Sequence, residues 1–559
     1  MTKLRSGHNA QTFRDAMITG RVLLEDGSPV EGMDVWVFRE GVKFYTGQSF
    51  FTDRDGNFTV TGLVPGLYEL RANLAGYIES TDTTYTLHRI GDHVTIKMIK
   101  GGVITGVVTD PNGDPLIGVS IYAQRTRDAE GHPLIRRLHK YYLGAYTDDR
   151  GIYRLYGLNP GSYILAVNPG LGAYFGGNEI GRNILTYHPS TMRDGAAEIT
   201  VHAGEEISGI DIQHRSQPGS AVTGTLTGEF APAHNEYGTV ALVNFQSGQV
   251  EAETSVSGSN CFLFFGVPDG DYALYAKKYS DSGDGATSPP LRVQVKGTDL
   301  TGINLKLIKL GSISGRVSIE PSSISCKNKV KYGVEEVYLD ARSNEIQKRS
   351  LNPFFNPAFS GPASRALVLS EKGEYILHSL EPGSYRITAN LPGENWHVRA
   401  INQPMTGGPA RRQVDISRTG IVVKSGEKLS GVDVLIAEGA AGLNGRIAFP
   451  NELQNKNEKM IASRYRVHLI PVEDAENILR YAETPVSADG SYVFKNLAPG
   501  KYWMLAQPLP EGVSTEAPVS PAAWNAAERV RMRREAAKNV IELQPCQRMS
   551  DYVLRVDPR

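Results

Sequence analysis

One hairpin pattern recurs along the chain and strongly limits the folds that this sequence can adopt. Its clearest copy is residues 147–167, TDDRGIYRLYGLNPGSYILAV, in which a turn, an alternating strand, a second turn and a second alternating strand follow one another. Pro160 presets φ at the second position of the central turn, and Gly161 accepts a positive φ at the third, which is typical of a type II turn. Further copies begin at Asp53, Glu371 and Ala488, and a less regular copy begins at Ser259.

A tyrosine closes the central turn of each copy, and these tyrosines follow one another at intervals of roughly 100 residues. They are Tyr68, Tyr163, Tyr272, Tyr385 and Tyr502. Because an interval of that length suffices for a two-sheet sandwich with its own core, the spacing predicts five serial β-domains. The predicted ranges are an N-terminal arm at 1–16, domain one at 17–100, domain two at 101–216, domain three at 217–309, domain four at 310–438 and domain five at 439–559.

Each predicted domain opens with a β-strand that carries a glycine at its centre. These glycines are Gly20, Gly106, Gly224, Gly315 and Gly445. Domains two to four close with a second recurrent hairpin, which begins at Ile199, Val293 and Val422. Its last strand runs within a few residues into the next opening strand. The linkers are therefore short, and we expect a semi-rigid string of domains.

Three segments depart from this pattern. Domain two carries a long glycine-rich loop from Pro169, and domain four carries an insertion at 326–362 ahead of its hairpin. Domain five holds a predicted helix at about 521–539, rich in alanine, arginine and glutamate after a Ser-Pro start. Helical spacing places Ala523, Ala527, Val530 and Ala537 on one face, which we expect to dock on a sheet.

Charge and hydropathy exclude several classes of partner. Lys and Arg total 59 against 60 Asp and Glu, so nothing indicates nucleic acid or an acidic membrane surface. No stretch approaches 18 apolar residues, so we expect no transmembrane helix. Residues 1–17 have charges but no apolar segment, which is not the pattern of a signal peptide. A cytosolic protein, a removed leader and a start downstream of one all remain open.

The three cysteines are too few and too scattered for a disulfide framework. Cys261 lies in the strand-like NCFLFF and is interpreted as a buried small hydrophobic residue. A bond between Cys326 and Cys546 is the alternative that the sequence leaves open but does not favour.

The order of motifs in these domains resembles a known family. Gly-x-Val, then Asp-x-x-Gly-x-Pro-Leu-x-Gly-Val-x-Ile, then Asp-x-x-Gly-x-Tyr and Leu-x-Pro-Gly-x-Tyr, is similar to the carboxypeptidase regulatory-like domain. The motif is complete in domain two, from Gly106 to Tyr163, good in domain one and partial in the others. The resemblance implies a prealbumin-like, seven-stranded Greek-key sandwich, which is grouped with starch-binding-like and Cna-B-like modules. The chain is also similar to large multi-repeat proteins of soil bacteria, which are usually exported, and this implies export. Fibronectin type III shares the tyrosine corner but lacks the opening hairpin, so it ranks second.

The same resemblance prompts a search for metallopeptidase chemistry. His202 and Glu205 match His-x-x-Glu, but Lys424 occupies the place of His202 in the closing hairpin of domain four. A position that is Lys in a sister domain is interpreted as a solvated hairpin residue, and the sequence contains no His-Glu-x-x-His. Asp53 to Asn57 is interpreted as a hairpin turn and not as a calcium loop. We predict no catalytic residue, no metal and no cofactor. A Cna-B-like isopeptide bond cannot be placed from the sequence.

The remaining candidates for a binding site are aromatic residues outside the strand pattern. They are Tyr141, Tyr142, Tyr174, Phe175, Tyr187 and Trp396. Flat rings on loops of a sandwich suit sugar stacking or a protein contact. The alternative is that they cap the ends of the sandwiches or fill domain junctions, and this is the interpretation that we favour.

These observations lead to a preferred function and two alternatives. Repetition without catalytic residues favours a non-enzymatic, extracellular or cell-surface protein with a structural or adhesive role, including that of a filament subunit. The alternatives are a carbohydrate-binding accessory protein with a polysaccharide partner and a hydrolase with its site at a domain junction. The arm at 1–16 belongs to no domain, and we expect it to dock on a neighbouring subunit as an added strand, giving a homopolymer. The alternative is that the arm folds back on domain one.

Overall fold

The described part of the chain is all-β apart from the α-helix Ala526–Glu535 and short helical turns, and it is arranged as five serial Greek-key sandwiches of two sheets each. The computed structural model describes residues 16–39, 48–80, 87–134, 143–168, 182–228, 236–256, 260–280, 284–320, 324, 326, 333–343, 365–367, 372–404, 413–449, 462–515 and 521–556. The chain forms two compact units. The first comprises 1–227, 239–275 and 290–305, and the second comprises 228–238, 276–289 and 306–559.

Domain one shows the basic arrangement. Its strands are β1 (Ile18–Leu24), β2 (Asp34–Arg39), β3 (Gln48–Phe51), β4 (Asn57–Val60), β5 (Leu67–Asn73), β6 (Tyr77–Glu79), β7 (His88–Arg89) and β8 (His93–Lys100). The sheets have the orders β4-β1-β8-β6 and β3-β2-β5-β7. Strand β1 pairs antiparallel with β4 and parallel with β8, so the first and last strands of the sandwich lie side by side. Val22, Val35 and Ile96 pack between the sheets.

Domain two repeats this order with an additional segment after its hairpin. Its strands are β9 (Gly102–Thr109), β10 (Ser120–Arg127), β11 (Leu143–Tyr146), β12 (Ile152–Leu158), β13 (Gly161–Asn168), β14 (Thr186–Tyr187), β15 (Ile199–Val201), β16 (Glu206–Ile207) and β17 (Ile212–Gln213). One sheet has the order β12-β9-β16, with β17 also on β9, and the other has the order β11-β10-β13-β14, with β15 on β13. A short 3₁₀ helix at Arg193–Gly195 precedes β15.

The strands of domain three belong partly to each compact unit. They are β18 (Ser220–Thr227), β19 (Glu236–Asn244), β20 (Val250–Val256), β21 (Cys261–Val267), β22 (Gly270–Ser280), β23 (Gly285–Thr287), β24 (Leu291–Val295), β25 (Leu300–Lys306) and β26 (Ile308–Lys309). In the first unit β18 pairs with β21, and the start of β22 pairs with β24. In the second unit the end of β22 pairs with β23, which also pairs with β26.

Domain four keeps the paired first and last strands and adds a strand pair. Its strands are β27 (Gly311–Ile319), β28 (Tyr338–Ser343), β29 (Arg365–Leu367), β30 (Glu374–Leu380), β31 (Gly383–Asn390), β32 (Trp396–Pro404), β33 (Gln413–Asp415), β34 (Ile421–Val423), β35 (Lys428–Leu429) and β36 (Asp433–Glu438). The sheets have the orders β30-β27-β36-β32-β33 and β29-β28-β31-β34, and β35 pairs with β27. A 3₁₀ helix at Val334–Glu336 lies before β28.

Domain five has the fewest described strands and carries the helix. Its strands are β37 (Ala441–Ala448), β38 (Tyr465–Pro471), β39 (Ala482–Pro485), β40 (Ser491–Leu497), β41 (Gly500–Pro508), β42 (Ala537–Leu543) and β43 (Arg548–Arg555). The sheets have the orders β40-β37-β43 and β39-β38-β41-β42. Helix α1 (Ala526–Glu535) follows a 3₁₀ turn at Ala522–Trp524, and a second 3₁₀ turn lies at Ile478–Arg480.

The central glycine of the opening strand is required by close packing. A Cβ on Gly20 would collide with the ring of Phe58, and one on Gly445 would meet the Tyr492 side chain and the Tyr552 carbonyl oxygen. An aromatic ring from the neighbouring strand and the backbone of the last strand therefore share the space that a side chain would fill. Only glycine leaves that space open.

The predicted helix is present but shorter, and the predicted buried face is wrong. The helix spans Ala526–Glu535, while residues 537–539 begin β42. Ala527 and Val530 are exposed, and the buried side chains of the helix are Arg529 and Met532. Arg529 is held there because Nη1 donates to the Ala523 carbonyl at 2.9 Å and Nη2 donates to Glu476 at 2.9 Å.

Two expectations about cysteines are also corrected. Cys326 and Cys546 form a disulfide with a Cα–Cα distance of 5.3 Å. Cys261, expected to be buried, is exposed at the start of β21, because the alternation of that strand turns Phe262 and Phe264 inward. In the part of the chain that the structure describes, no helix is long and apolar enough to cross a membrane.

Candidate functional site

The five tyrosines that close the hairpins are buried and make the same hydrogen bond. Each hydroxyl donates to the carbonyl oxygen of the residue four positions earlier, at 2.6 to 2.9 Å. Tyr163, for example, is 2% exposed and donates to Asn159 at 2.7 Å, which is the tyrosine-corner geometry expected for this residue. The bond holds the Pro-Gly turn against its own sandwich and thereby fixes the strand that precedes the turn.

A residue with positive φ lies six positions before each tyrosine, within that strand in domains two to five and just after it in domain one. The φ values lie between 54° and 74°, and the residues are Gly62, Gly157, Gly266, Ser379 and Asn496. In domain two, the register of β12 against β9 shifts between Tyr156 and Leu158, so Gly157 is the extra residue of a β-bulge. Glycine adopts this conformation readily and Asn tolerates it, whereas Ser379 holds it at a cost.

The bulge of each later domain lies against the domain before it, and we call this contact the interdomain joint. In the first joint, the backbone N–H of Gly101 donates to the Gly76 carbonyl at 2.9 Å. Gly101 is the residue directly before the opening strand β9, and Gly76 follows the hairpin of domain one. A Cβ on Gly157 would lie 3.8 Å from the Tyr77 carbonyl oxygen, so the bulge and the loop are in van der Waals contact.

The second and third joints repeat these contacts. Gly219, directly before β18, donates to the Arg182 carbonyl at 3.0 Å, and a Cβ on Gly266 would collide with the Asn183 carbonyl. Leu310, directly before β27, donates to the Gly285 carbonyl at 2.8 Å, and a Cβ on Gly285 would collide with the Ser379 side chain, which belongs to the bulge of domain four. Each domain thus begins with a backbone hydrogen bond to its predecessor.

The fourth joint has the same core and additional polar contacts. Gly439 and Ala440 donate to the Asn395 carbonyl at 2.8 and 2.9 Å, and Nδ2 of Asn496 donates to the Trp396 carbonyl at 2.8 Å. Arg548 donates from Nη2 to the Glu394 carbonyl at 2.8 Å and to Asn395 Oδ1 at 2.9 Å. These bonds fix the loop of domain four between the bulge and the last hairpin turn of domain five.

A salt bridge and the disulfide complete the fourth joint. Lys495 Nζ lies 3.1 Å from Glu394 Oε1, with both side chains more than half exposed, so the pair contributes little free energy. Cys546 also donates its backbone N–H to the Gly439 carbonyl at 3.0 Å, beside the bond to Cys326. Because Cys326 precedes β28 of domain four and Cys546 precedes β43 of domain five, the bond is an interdomain cross-link.

A cavity of about 430 Å³ lies at this fourth joint. Its lining includes His397, Arg399, Arg480, Glu320 and Asp474. Burial lowers the pKa of His397 to about 4, helped by the charges of Arg399 and Arg480, so the imidazole is neutral at physiological pH. Arg399 pairs with Glu320 across the opening. The lining has mixed charge and contains no nucleophile paired with a base, and it therefore does not indicate a reaction.

The structure does not bring the predicted aromatic ligand-binding residues together. Tyr141, Tyr142, Tyr174 and Phe175 lie outside the described residues. Tyr187 is 5% exposed and packs with Ile164 and Ala166, and Trp396 is 7% exposed in the core of domain four. Ligand binding at these six residues stays a prediction. Tyr187 and Trp396 are thus packed within their own domains, and the alternative that these rings cap sandwich ends or fill domain junctions also stays a prediction.

Exposed aromatic rings occur elsewhere, on the outer sheet face of domain one. Trp36 is 38% exposed and stacks on Phe38 with centroids 6.1 Å apart and planes at 21°. Phe51, on the adjacent strand β3, is 67% exposed, and its backbone partner is Asp34. In domain two Tyr146 is 74% exposed at the matching position. The sequence carries a signal for this face, since the alternation in DVWVF that places Val35 and Val37 inward necessarily places Trp36 outward.

The motifs that resemble metal sites are turn structures. Glu205 Oε2 accepts the backbone N–H of its own hairpin, from His202 at 2.8 Å, and Glu427 does the same for Lys424 at 2.7 Å. The Glu therefore stabilises a turn whether the first residue is His or Lys. The carboxylate oxygen of Asp53 likewise accepts two backbone N–H groups within its turn, and these bonds hold the pKa of Asp53 below its usual range.

One further group of possible metal ligands belongs to the same kind of turn. Among the described residues, Asp128, Glu130 and His132 have ligand atoms within 4.8 Å of one another. Asp128 Oδ1 accepts the backbone N–H groups of Glu130 at 3.1 Å and His132 at 2.8 Å, as Asp53 does in domain one. The cluster is explained by this turn and does not by itself indicate a cation.

A model of a known family matches the first sandwich. Residues 17–98 match the carboxypeptidase regulatory-like domain, so domain one is similar to that family over this range. The topology of domain one, with its first and last strands paired in parallel, recurs in domains two, four and five. No curated protein has a sequence that matches this chain.

The solved structures that match parts of this chain include bacterial pilins. The TIE protein of Bacillus anthracis is 14% identical over 53% of this chain and 51% of its own, with a TM-score of 0.14. The chain therefore spans about half the length of that protein. GBS52, the minor pilin of Streptococcus agalactiae, is 16% identical over 35% of this chain and 94% of its own, with a TM-score of 0.18. BcpA, the major pilin subunit of Bacillus cereus, is 10% identical over 52% of this chain and 99% of its own, with a TM-score of 0.13. These identities are far below the level at which function transfers.

Proposed function

We propose that this protein is a non-enzymatic structural protein of the cell surface or the extracellular space, in which serial sandwiches form a spacer of restricted flexibility. The observation that carries this proposal is the joint, which recurs between successive domains with the same backbone hydrogen bond and the same bulge. Domains that served only as independent binding modules would not need a repeated contact of this kind, because flexible linkers suffice for tethering.

The disulfide supports the extracellular part of the proposal. Bonds of this kind form and persist in oxidising compartments and are rare in the cytosol. Cys326 and Cys546 are separated by 220 residues, so the bond closes a long loop and restricts the unfolded chain strongly. It also lies at a joint, where it resists separation of two domains in addition to stabilising one of them.

The test is to locate the protein in the cells that produce it and to determine the state of these two cysteines. Intact cells are treated with a membrane-impermeant amine label, and the thiols are alkylated before and after reduction. The proposal expects surface or secreted protein in which Cys326 and Cys546 react only after reduction. Exposed Cys261 is the internal control, because it should react at once. A cytosolic protein with Cys326 and Cys546 reduced would contradict the proposal.

A second candidate function, binding of polysaccharide, is favoured by the outer face of domain one. Nearly parallel rings of Trp36 and Phe38, with exposed Phe51 beside them, offer apolar surfaces on which sugar rings stack. Glu69 and Arg71 lie on the same face and offer hydrogen-bonding groups. A glycan array tests this candidate, with Trp36→Ala expected to abolish binding and Val540→Ala, which removes an exposed apolar side chain in domain five, expected to leave it unchanged.

A further inference from the structure

We propose that two copies of this chain associate head to tail through a fifth joint, in which the loop 509–513 of domain five docks on the turn at Gly62 of domain one in the next copy; this turn takes the place of the bulge in the other joints. The proposal rests on the proposed structural role, and it adds to it a specific self-assembly contact. It uses the joint already present between successive domains and requires no new type of interface.

The acceptor half of the joint is exposed on domain one. Gly62 has a φ of 74°, and it occupies the place that Gly157, Gly266, Ser379 and Asn496 hold in the other domains. No described atom lies within 4 Å of the position where a Cβ on Gly62 would be, whereas a Cβ on Gly266 would collide with the preceding domain. The same left-handed residue is therefore present in domain one, just after β4, without a neighbour among the described residues at that position.

Local contacts hold this acceptor in the docking shape. The Tyr68 hydroxyl donates to the Val64 carbonyl at 2.6 Å, as the other four tyrosines do in occupied joints. Leu63 is buried beneath the turn, while Val64 is 40% exposed beside it. Because the turn needs no partner to adopt its shape, docking would not require domain one to reorganise.

The donor half is a loop at the matching place in domain five. In domains one and four this loop follows the second hairpin strand with the sequences Leu74-Ala-Gly and Leu391-Pro-Gly, and in domain five it is Leu509-Pro-Glu-Gly. Its exposed residues are Pro510, Glu511 and Gly512. The domain-five loop thus runs from a Leu to a Gly, as do the loops of the first and fourth joints, and it is one residue longer.

Arg464 holds this donor loop in place. Its guanidinium donates to the Pro510 carbonyl at 3.0 Å and to the Val513 carbonyl at 3.2 Å, and its backbone carbonyl accepts the N–H of Leu509 at 2.7 Å. A loop fixed at both ends loses little conformational entropy on docking. Preorganisation of both halves therefore favours the contact.

A second copy of the chain is the occupant that fits both halves. The two halves differ from one another and lie on different domains, so a contact between copies is heterologous and leaves one donor and one acceptor unoccupied. Contacts of this type propagate as open chains unless the rotation closes them into a ring. Self-association is thus expected to give a series of multimers and not a single dimer.

The strength of the contact can be bounded from the joints within the chain. There the covalent linker supplies an effective concentration on the order of mM, which an encounter between separate copies lacks. Association in dilute solution is therefore expected to be weak and to strengthen where copies are concentrated. A covalent trap is the appropriate assay because it records contacts that dissociate quickly.

The trap uses the geometry of the fourth joint. Lys495 precedes Asn496 by one residue and lies 3.1 Å from Glu394 of the docked loop. The residues chosen for the proposed contact are Thr61, directly before Gly62 as Lys495 is before Asn496, and Glu511 at the centre of the donor loop, and both are exposed. The full-length protein with Cys261→Ser, Thr61→Cys and Glu511→Cys is oxidised mildly and analysed on a non-reducing gel.

The control replaces Glu511→Cys with Lys501→Cys, which is also exposed but lies at the opposite end of strand β41. The proposal predicts a ladder of dimers, trimers and larger species for the first protein and at least a tenfold weaker ladder for the control. Monomer only, a product that stops at dimer, or equal ladders in both proteins would overturn it.

Circular dichroism verifies that the variants fold. Sedimentation velocity of the unmodified chain supplies an independent readout, and we expect its weight-average sedimentation coefficient to increase with protein concentration. If Cys326 and Cys546 are still oxidised on surface-exposed protein while no ladder forms, the head-to-tail contact fails alone and the proposed structural role stands.

Discussion

Domains one and five have the same sandwich, but the outer face of one sheet is covered in domain five and exposed in domain one. In domain five, α1 and the preceding 3₁₀ turn cover that face, and Met532, Ala523 and Leu505 pack beneath them. In domain one the matching face is open and exposes Trp36 and Phe51. The segment that follows the second hairpin strand differs in length between these two domains, since 28 residues separate β41 from β42 and 14 residues separate β5 from β7.

Hydropathy alone would predict that the aromatic face is covered and that the face with ionisable side chains is exposed, and the structure shows the reverse. The covered face of domain five includes His468 and Glu483, while the open face of domain one is aromatic. The buried groups are tolerated because Glu483 accepts the N–H of Ala522 at 2.9 Å and an N–H of Arg466 at 3.1 Å. Burial of a sheet face therefore depends on whether a segment can satisfy its polar groups, and apolar content alone does not reveal it.

The largest predicted effect concerns what the two domains share. Tyr68→Ala in domain one and Tyr502→Ala in domain five should each lower the free energy of unfolding of their own domain by about 3–5 kcal/mol, because each removes a buried ring and its corner hydrogen bond. Tyr163→Ala should do the same in domain two. Hydrogen exchange resolved by domain measures the effect. A loss below about 1 kcal/mol at any of these positions would show that the corner does not hold the hairpin.

The second prediction separates the two domains through the disulfide. Replacing Cys326 and Cys546 together by alanine should lower the free energy of unfolding of domains four and five by about 2–5 kcal/mol, because a long loop is released. Domain one should be unchanged, and it is the internal control in the same hydrogen-exchange experiment. Equal destabilisation of domain one would contradict the assignment of the bond to the fourth joint.

The third prediction concerns helix α1, which covers the outer sheet face of domain five. Met532, 1% exposed, anchors α1 to the sheet, and Met532→Ala should cost about 2–3 kcal/mol, the lower part of the usual range, because a surface helix can settle inward. Val530 on the opposite side is 70% exposed, and Val530→Ala should change stability by less than about 0.5 kcal/mol. Similar effects of the two substitutions on thermal unfolding would mean that the helix does not use this face.

The smallest prediction concerns pH. Burial lowers the pKa of His468 from 6.5 to about 4, so the unfolded chain binds a proton that the folded domain does not as pH falls between these values. Domain five should lose on the order of 2 kcal/mol of stability over that window. Glu483 acts in the opposite sense, because burial raises its pKa and the folded state then binds the proton more readily. His468→Gln should flatten the loss, and an unchanged pH profile would show that another group causes it.

The local parts of the fold could be predicted from sequence, whereas its long-range parts could not. The tyrosine corners follow from a turn and an alternating strand within some 20 residues, so Tyr163 and its equivalents were identified. The Cys326–Cys546 bond spans 220 residues without a local signal. The buried face of α1 was missed because Arg529 is buried through hydrogen bonds, which a search for apolar periodicity does not detect.

The atoms that form the interdomain joint could not be predicted from the sequence for a different physical reason. Its essential property is a positive φ, and the chain provides it with Gly157, Gly266, Ser379 and Asn496, which do not form one residue type. A signal was nevertheless present, since each of these residues lies six positions before the corner tyrosine. Short linkers predicted restricted flexibility, but they could not show which atoms restrict it.

The most direct test of the account is a distance measurement across the first joint, where no disulfide contributes. Spin labels at Thr95→Cys in domain one and Arg150→Cys in domain two, in a Cys261→Ser background, report the distance distribution by pulsed electron resonance; both positions are exposed. The account predicts one narrow population that broadens when Gly157→Val removes the left-handed residue. A distribution that is already broad in the unaltered joint, as a flexible linker would give, would contradict it.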